Sequence, residues 1–325
     1  MSRSVLVTYA ARAPVLAAIA DVIGGAATVR RLTDFPEAER VAAVQAADAF
    51  FTQSIKSEFR PTELAHADRK LVQLMYAGVD RVPFDLLPST TLIAHNGGAF
   101  AEQMAEHVLA MALAGAKKLL DRHVRMAKGD FDQFGALGTL RDGACAIIGY
   151  GAIGRETARL VRPFGMRVYG LNRSGRTTDN LEFIGTLEDL EPVLRAADLV
   201  VLSLGLNRRT HHLIGARELS WMKKTAIIVN VARGAVIDEA ALYAHLKATP
   251  EFTACLDAWW IEPLSHGRFE IGHPFFDLPN VLGSPHNSAQ VAGYLTSAAR
   301  HAAKNVRRYL AEGRADRLVG ADDRH

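Results

Sequence analysis

Cysteine is nearly missing from this chain: Cys145 and Cys255 are two of 325 residues. Two thiols cannot build the cross-linked framework of a small secreted domain. Both sit in apolar runs, so they read as buried free thiols of a reducing compartment. An excess of one charge is lacking as well. Thirty-eight Lys and Arg against 35 Asp and Glu leave a net charge of +3, too little to argue for a nucleic-acid partner. No run reaches the roughly 18 apolar residues of a membrane span, and the apolar stretch at residues 5–8 is too short for the core of a signal peptide. His95, His107, His211 and His212 lack the spacing of a metal site. Composition, at 49% hydrophobic and 22% charged, excludes a disordered or collagen-like chain. The expectation is a soluble cytoplasmic protein, and at about 150 residues per domain the length suggests two domains.

What is present is alternation. Short apolar runs at 5–8, 48–52 and 70–75 read as buried strands, and 14–23 and 36–46 have helical periodicity, the first ending at Gly24-Gly25. Such a pattern implies a parallel sheet with helices on both faces. Residues 100–128 carry one long helical pattern, rich in Ala, Leu, Met and Glu, with Gly115 as its only internal weak point. A Gly- and Asp-rich loop, 129–143, follows. A second alternating run then places strands near 144–149, 166–171, 198–203, 225–231, 253–257 and 280–283, six strands at the spacing of a doubly wound dinucleotide fold. A last helix, 288–312, is expected to return to the first domain. The domains are therefore drawn as 1–100 plus 287–325, and 101–286.

Gly149, Gly151 and Gly154 form G-x-G-x-x-G directly after an apolar strand and before a helix that opens at Ala152-Ile153. The first glycine suits a tight turn, the second a close approach of backbone to a pyrophosphate, the third close packing of helix on strand. The helix N-terminus offers free N–H groups to the phosphates. The next strand ends in Asn172, Arg173 and Ser174. An acid near position 172 would bond the ribose hydroxyls of NAD. Asn172 is neutral, and Arg173, Ser174 and Arg176 suit a 2′-phosphate instead. NADP(H) is the expected cofactor, with NAD(H) possible.

Three further segments fall at expected strand ends: 228–234 with Val231 and Arg233, 257–263 with Asp257 and Glu262, and 284–287 with His286. In an open parallel sheet these ends share one edge. Together with the glycine loop they resemble the D-isomer-specific 2-hydroxyacid dehydrogenases over nearly the whole chain. Residues 71–80, with Gly78 and Val79, look like that family's substrate loop. Asn96-Gly97-Gly98-Ala99 and Ala105-Glu106-His107 look like the entry to its interdomain helix. The stretch from Leu202-Ser203-Leu204 through Thr210 to Arg233-Gly234 and Asp238-Glu239 is similar throughout.

The resemblance implies two Rossmann-like domains, a doubly wound dinucleotide-binding domain inserted into a smaller, discontinuous, flavodoxin-like substrate domain. It implies D-specific reduction of a small 2-keto acid, such as glyoxylate or hydroxypyruvate, by a homodimer. His286 would be the general acid in reduction, Glu262 would stabilise and orient its ring, and Arg233 would grip the substrate carboxylate or carbonyl. Gly78 and Val79 would offer N–H groups to the carboxylate. Asp257 would contact the nicotinamide amide, and Leu204, Thr210 and Val231 would line the cofactor side. Trp259-Trp260 is bulkier, and Asn287-Ser288-Ala289 different, from the family's common pattern; with Phe50-Phe51-Thr52-Gln53 expected on the substrate side, these bear on substrate size. Two other functions share the motif set: a dinucleotide-sensing corepressor, and a dehydrogenase of formate or phosphite.

Overall fold

The computed structural model describes residues 3–320 and 323–324. The chain divides into two units, Met1–Phe100 with Val291–His325, and Ala101–Gln290. In the first unit, β1 (Ser4–Val7), β2 (Thr28–Arg31), β3 (Ala49–Thr52), β4 (Leu71–Leu74) and β5 (Leu92–Ala94) form one sheet in the order β2-β1-β3-β4-β5. All pairings are parallel. Every residue of β3 and β4 is buried, as expected of strands covered on both faces. Val5, Val7, Phe51 and Leu71 pack on one face with Ala299, Ala302 and Val306 of the Tyr294–Glu312 helix. Leu6, Phe50 and Val72 pack on the other with Val44 and Ile55. Phe50 and Phe51 are fully buried in these two cores. The expectation that they line a substrate pocket is therefore corrected: alternate side chains of a strand point to opposite faces, and both faces here are covered.

The second unit holds β6 (Ala144–Ile148), β7 (Arg167–Leu171), β8 (Phe183–Gly185), β9 (Leu199–Leu202), β10 (Ile227–Asn230), β11 (Thr253–Leu256) and β12 (Val281–Gly283). Their order is β12-β11-β10-β9-β6-β7-β8, again all parallel. Counted within this unit the order is 7-6-5-4-1-2-3. This is the doubly wound arrangement with one added edge strand, whose order reverses beside β6. Cys145 and Cys255 are buried in this unit, and burial pushes both thiols up to about 12.

Three sequence expectations need correction. The helix expected over 100–128 is two helices, Ala101–Ala116 and Leu119–Ala127, parted at Lys118 with φ 49°. Gly115 is not the weak point. A Cβ there would lie 3.1 Å from Cys255 Sγ, so the glycine lets the helix pack closely on β11. The final helix begins at Tyr294, not at 288, after Gly293 at φ 78°. The Ser288 N–H is bound instead to a buried carboxylate described below. The strands β2, β5 and β8 were not foreseen. All three end their sheets; half of β2 is exposed, which interrupts its apolar run, and β5 and β8 are three residues long, short of the run that marks a central strand. Among the described residues no helix is long and apolar enough to cross a membrane.

Candidate active site

The site is built on the carboxyl edge of the second unit's sheet. Gly149 follows β6 at φ 97°, and a Cβ on it would stand 2.7 Å from the Ser203 and Leu204 backbone. Only glycine satisfies both the dihedral and the space. A Cβ on Gly154 would come within 2.8 Å of Ile147 Cγ2, so this glycine seats the helix Ala152–Val161 against β6. Gly151 differs from both. The nearest atom to its Cβ position is Gly149 O at 3.9 Å. Its bareness answers no internal contact and leaves open backbone at the N-terminus of that helix, which fits the pyrophosphate of a dinucleotide.

Beyond β7 the turn 172–176 is closed by Asn172. Its Nδ2 donates to Arg176 O (2.9 Å), and its Oδ1 accepts from the Ser174 N–H (3.0 Å) and the Ser174 hydroxyl (3.1 Å). Arg173, Ser174 and Arg176 are exposed on this turn. Asn172 is thus a turn-former whose amide is already engaged. Thr210 likewise serves its own loop: its hydroxyl donates to Gly205 O at 2.7 Å and accepts from the Asn207 N–H at 2.8 Å. Leu204 is half-buried beside Gly149, and Val231 is buried after β10 with its N–H on Leu202 O.

After β10, Asn230 holds the next turn, donating from Nδ2 to Arg233 O (2.9 Å) and accepting from the Ala232 N–H (3.0 Å). Gly234 presses on the Trp259-Trp260 peptide so closely that a Cβ would stand 2.2 Å from Trp259 C. This contact brings the Arg233 segment to the segment that carries Glu262. Glu262 Oε1 accepts the Trp259 N–H at 2.8 Å, and its two oxygens accept from His286 Nδ1 at 2.9 and 2.8 Å. Burial alone would raise the Glu262 carboxyl. The hydrogen bonds from His286 and Trp259, with the charges of His286 and Arg233, hold it below the ordinary carboxylate range. A carboxylate only accepts, so the proton of this contact resides on Nδ1, and Nε2 faces outward from the pair. His286 itself has φ 51°, a left-handed backbone that costs a non-glycine residue on the order of 1 kcal/mol or more.

Asp257 is fully buried. Oδ1 accepts from the Ser284 hydroxyl (2.6 Å) and the Asn287 N–H (3.1 Å), and Oδ2 from the Ser288 N–H (3.2 Å). Burial opposes its charge, but these bonds and the nearby His107 hold the carboxyl low. Ser284 and His107, whose Nε2 lies 3.0 Å from Ser284 Oγ, stand in segments that the sequence marks, 284–287 and the entry to the long helix, but the sequence gives neither of them a role beside Asp257. The available signal was the Ser284-x-His286-x-Ser288 alternation. Trp259 and Trp260 are braces: their indole N–H groups donate to Ser284 O (2.8 Å) and Ile237 O (2.7 Å), and the Trp260 ring stacks on buried Phe275. Gly78 and Val79 lie in the first unit, after β4, with Val79 packed beside its second core.

The structure therefore gathers Arg233, Glu262, His286 and Asp257 in one unit with the glycine loop. Residues 109–288 match the model of the D-isomer specific 2-hydroxyacid dehydrogenase NAD binding domain. The chain is 32% identical over 253 residues to a glyoxylate reductase of Aeropyrum pernix, covering 75% of this chain and 74% of that protein. It is 28% identical over 256 residues to a D-3-phosphoglycerate dehydrogenase of Methanocaldococcus jannaschii, covering 77% of this chain; there it spans about half of the relative's length, 47%. Among solved structures it is similar to a D-isomer specific 2-hydroxyacid dehydrogenase family protein from Aeromonas salmonicida, with TM-score 0.78, 25% identity and coverage of 98% of this chain and 99% of that one. With two parallel α/β sheets, a glycine-built dinucleotide loop and this match over more than half its length, the chain belongs to the family of NAD(P)-dependent D-isomer specific 2-hydroxyacid dehydrogenases.

Proposed function

We propose that this protein is an NADP(H)-preferring, D-specific reductase of small 2-keto acids, with glyoxylate and hydroxypyruvate as its first candidates. The observation that carries the reading is the His286–Glu262 pair at 2.8 Å, with Arg233 beside it on the sheet edge that bears the glycine loop. A bound nicotinamide dinucleotide supplies the hydride in reduction and takes it up in oxidation. His286 delivers a proton from Nε2 to the forming alkoxide. Glu262 stabilises the imidazolium before that transfer and fixes the ring through Nδ1. Arg233 holds the substrate carboxylate or carbonyl by charge-assisted hydrogen bonds. Asp257, Leu204, Thr210 and Val231 border the cofactor. The name of the Aeropyrum pernix relative supports the substrate class.

The cofactor preference rests on the neutral Asn172 and on exposed Arg173 and Arg176. An acid at 172 would repel a 2′-phosphate; an amide does not. A second copy of the chain is the proposed partner. The helix Leu119–Ala127 buries none of its residues, and Leu119, Leu120, Met126, Phe131 and Phe134 are exposed on and after it. Such a patch marks an association surface. A cytoplasmic location accords with the two free thiols. The test is oxidation of NADPH and of NADH against glyoxylate, hydroxypyruvate, pyruvate and phenylpyruvate, with sedimentation of the same sample. Turnover with the first two acids, faster with NADPH, in a dimer is the expected result. Failure to oxidise either cofactor with any of these acids would overturn the reading.

A further inference from the structure

His107, Ser284 and Asp257 form a hydrogen-bonded chain, buried at Asp257 and half-buried at the other two, that the proton transfer proposed above does not touch. Sequence separates them widely. His107 lies on the Ala101–Ala116 helix, Asp257 directly after β11 and Ser284 directly after β12. The Ser284 proton is committed to Asp257 Oδ1 at 2.6 Å, so the serine receives a donor from His107 Nε2 at 3.0 Å. The same carboxylate accepts the N–H groups of Asn287 and Ser288.

These donors flank a single residue. Ser284 precedes His286 by two positions, and Asn287 and Ser288 follow it. His286 is in the left-handed backbone region between them, a conformation that persists in an L-residue only where its surroundings dictate it. One buried carboxylate gripping the chain on both sides supplies that constraint. The Trp259 indole adds a further hold on Ser284 O. Glu262 fixes the imidazole ring, whereas the Asp257 cluster fixes the backbone that carries it.

We propose that Asp257, Ser284 and His107 are a clamp that sets the position of the His286 imidazole, with Asp257 a positioning residue for proton transfer in addition to any contact with cofactor. The inference rests on His286 being the proton carrier of the proposed reaction. The Ser284 arm is the one to test. Its loss leaves Asp257 with its backbone donors and with His107 3.7 Å from Oδ1.

The experiment uses the full chain as Ser284→Ala, Ser284→Thr and Asp257→Asn. The His286 ring resonances, assigned by their loss in His286→Ala, are followed by NMR without substrate. NADPH binding is measured by calorimetry, and kcat and its pH profile at saturating cofactor. Ser284→Ala should shift the His286 ring resonances and lower kcat about tenfold, and Asp257→Asn up to about 100-fold, the order expected of a misplaced reacting group. The pH profile should move in both, while NADPH affinity in Ser284→Ala stays near the parent value. Ser284→Thr, which keeps the hydroxyl, should restore the resonances and most of kcat. Unchanged His286 resonances in both Ser284→Ala and Asp257→Asn would overturn the clamp. So would weakened NADPH binding with unchanged kcat, which would make Asp257 a cofactor ligand alone. The resonances need no turnover, so a parent protein inactive on every 2-keto acid would sink the proposed reaction, while the ring signal would still decide the clamp.

Discussion

The two halves of the second sheet's carboxyl edge are made from opposite materials. Around β6 and β7 the site is bare backbone. Gly149 and Gly154 are glycine because neighbouring atoms leave no room for a side chain, Gly151 is glycine with open space before it, and the charged groups of the adjoining turn are exposed. Around β10, β11 and β12 the site is made of ionisable side chains, each held by other groups of the same unit. Glu262 is held by Trp259 and His286, and Asp257 by Ser284, Asn287 and Ser288. Binding a polyanion along its length needs N–H groups and space. Moving one proton needs a few groups fixed to fractions of an ångström. The first half should therefore yield to changes in affinity, and the second to changes in rate.

His286→Ala is the sharpest test of the division. Turnover should fall by on the order of 10²- to 10⁴-fold, the worth of a general acid, while calorimetric binding of NADPH is retained. A variant that lost both together would break the comparison. Gly149→Ala and Gly151→Ala should separate within the first half. The former must place a Cβ against the Ser203 backbone at positive φ, and should lower unfolding free energy by on the order of 3 kcal/mol in denaturant melts. The latter should keep its stability and weaken cofactor binding.

Arg233→Lys should lower kcat/KM for the keto acid about 10- to 100-fold, since a point charge replaces a fork and charge-assisted bonds contribute roughly 1.5–3 kcal/mol each. NADPH affinity should hardly change. In the first half, Asn172→Asp with Arg173→Ala should shift the ratio of kcat/KM for NADPH over NADH toward NADH by about tenfold or more, and the parent's preference should shrink in high salt because the turn is exposed. A parent that prefers NADH would show that Arg173 and Arg176 serve solvent.

The smallest effect expected is in acid. The folded Glu262 carboxyl lies below its ordinary value of 4.5. Its stabilisation is thus full above that value and is lost as the pH falls through the folded one. Glu262→Gln should be less stable than the parent by about 1 kcal/mol at pH 7, with the gap closing on acidification below pH 4.5. In turnover, the pH profile of reduction should move toward acid, because the imidazolium loses its stabilising charge.

The two halves also differ in how far the sequence reveals them. The glycine loop is local: an apolar strand, three glycines and a helix follow one another within 20 residues, and each spacing has its own steric reason. The central strands were equally plain, since burial on both faces writes an unbroken apolar run. The His107–Ser284–Asp257 cluster spans 178 positions, and no periodicity joins a helix residue to two strand ends. Its members are residue types that more often face solvent or cap loops. The break at Lys118 escaped for a different reason. One positive φ costs the helical pattern nothing in composition, so residues 117–118 read as part of a continuous helix. The strands β2, β5 and β8 were missed, β2 because an exposed face dilutes its apolar run and β5 and β8 because each is three residues long.

The brace at Trp259 has a use in the laboratory. Of the chain's three tryptophans, this one is tied through its indole N–H to Ser284, two residues ahead of His286. Any movement of that loop must lengthen or break the bond, and indole emission responds to its hydrogen bonding and solvent. With Trp260→Phe and Trp221→Phe to silence the other two, Trp259 becomes a built-in optical gauge. Stopped-flow emission could then time the loop's movement against the disappearance of NADPH absorbance, and show which of the two limits each turnover.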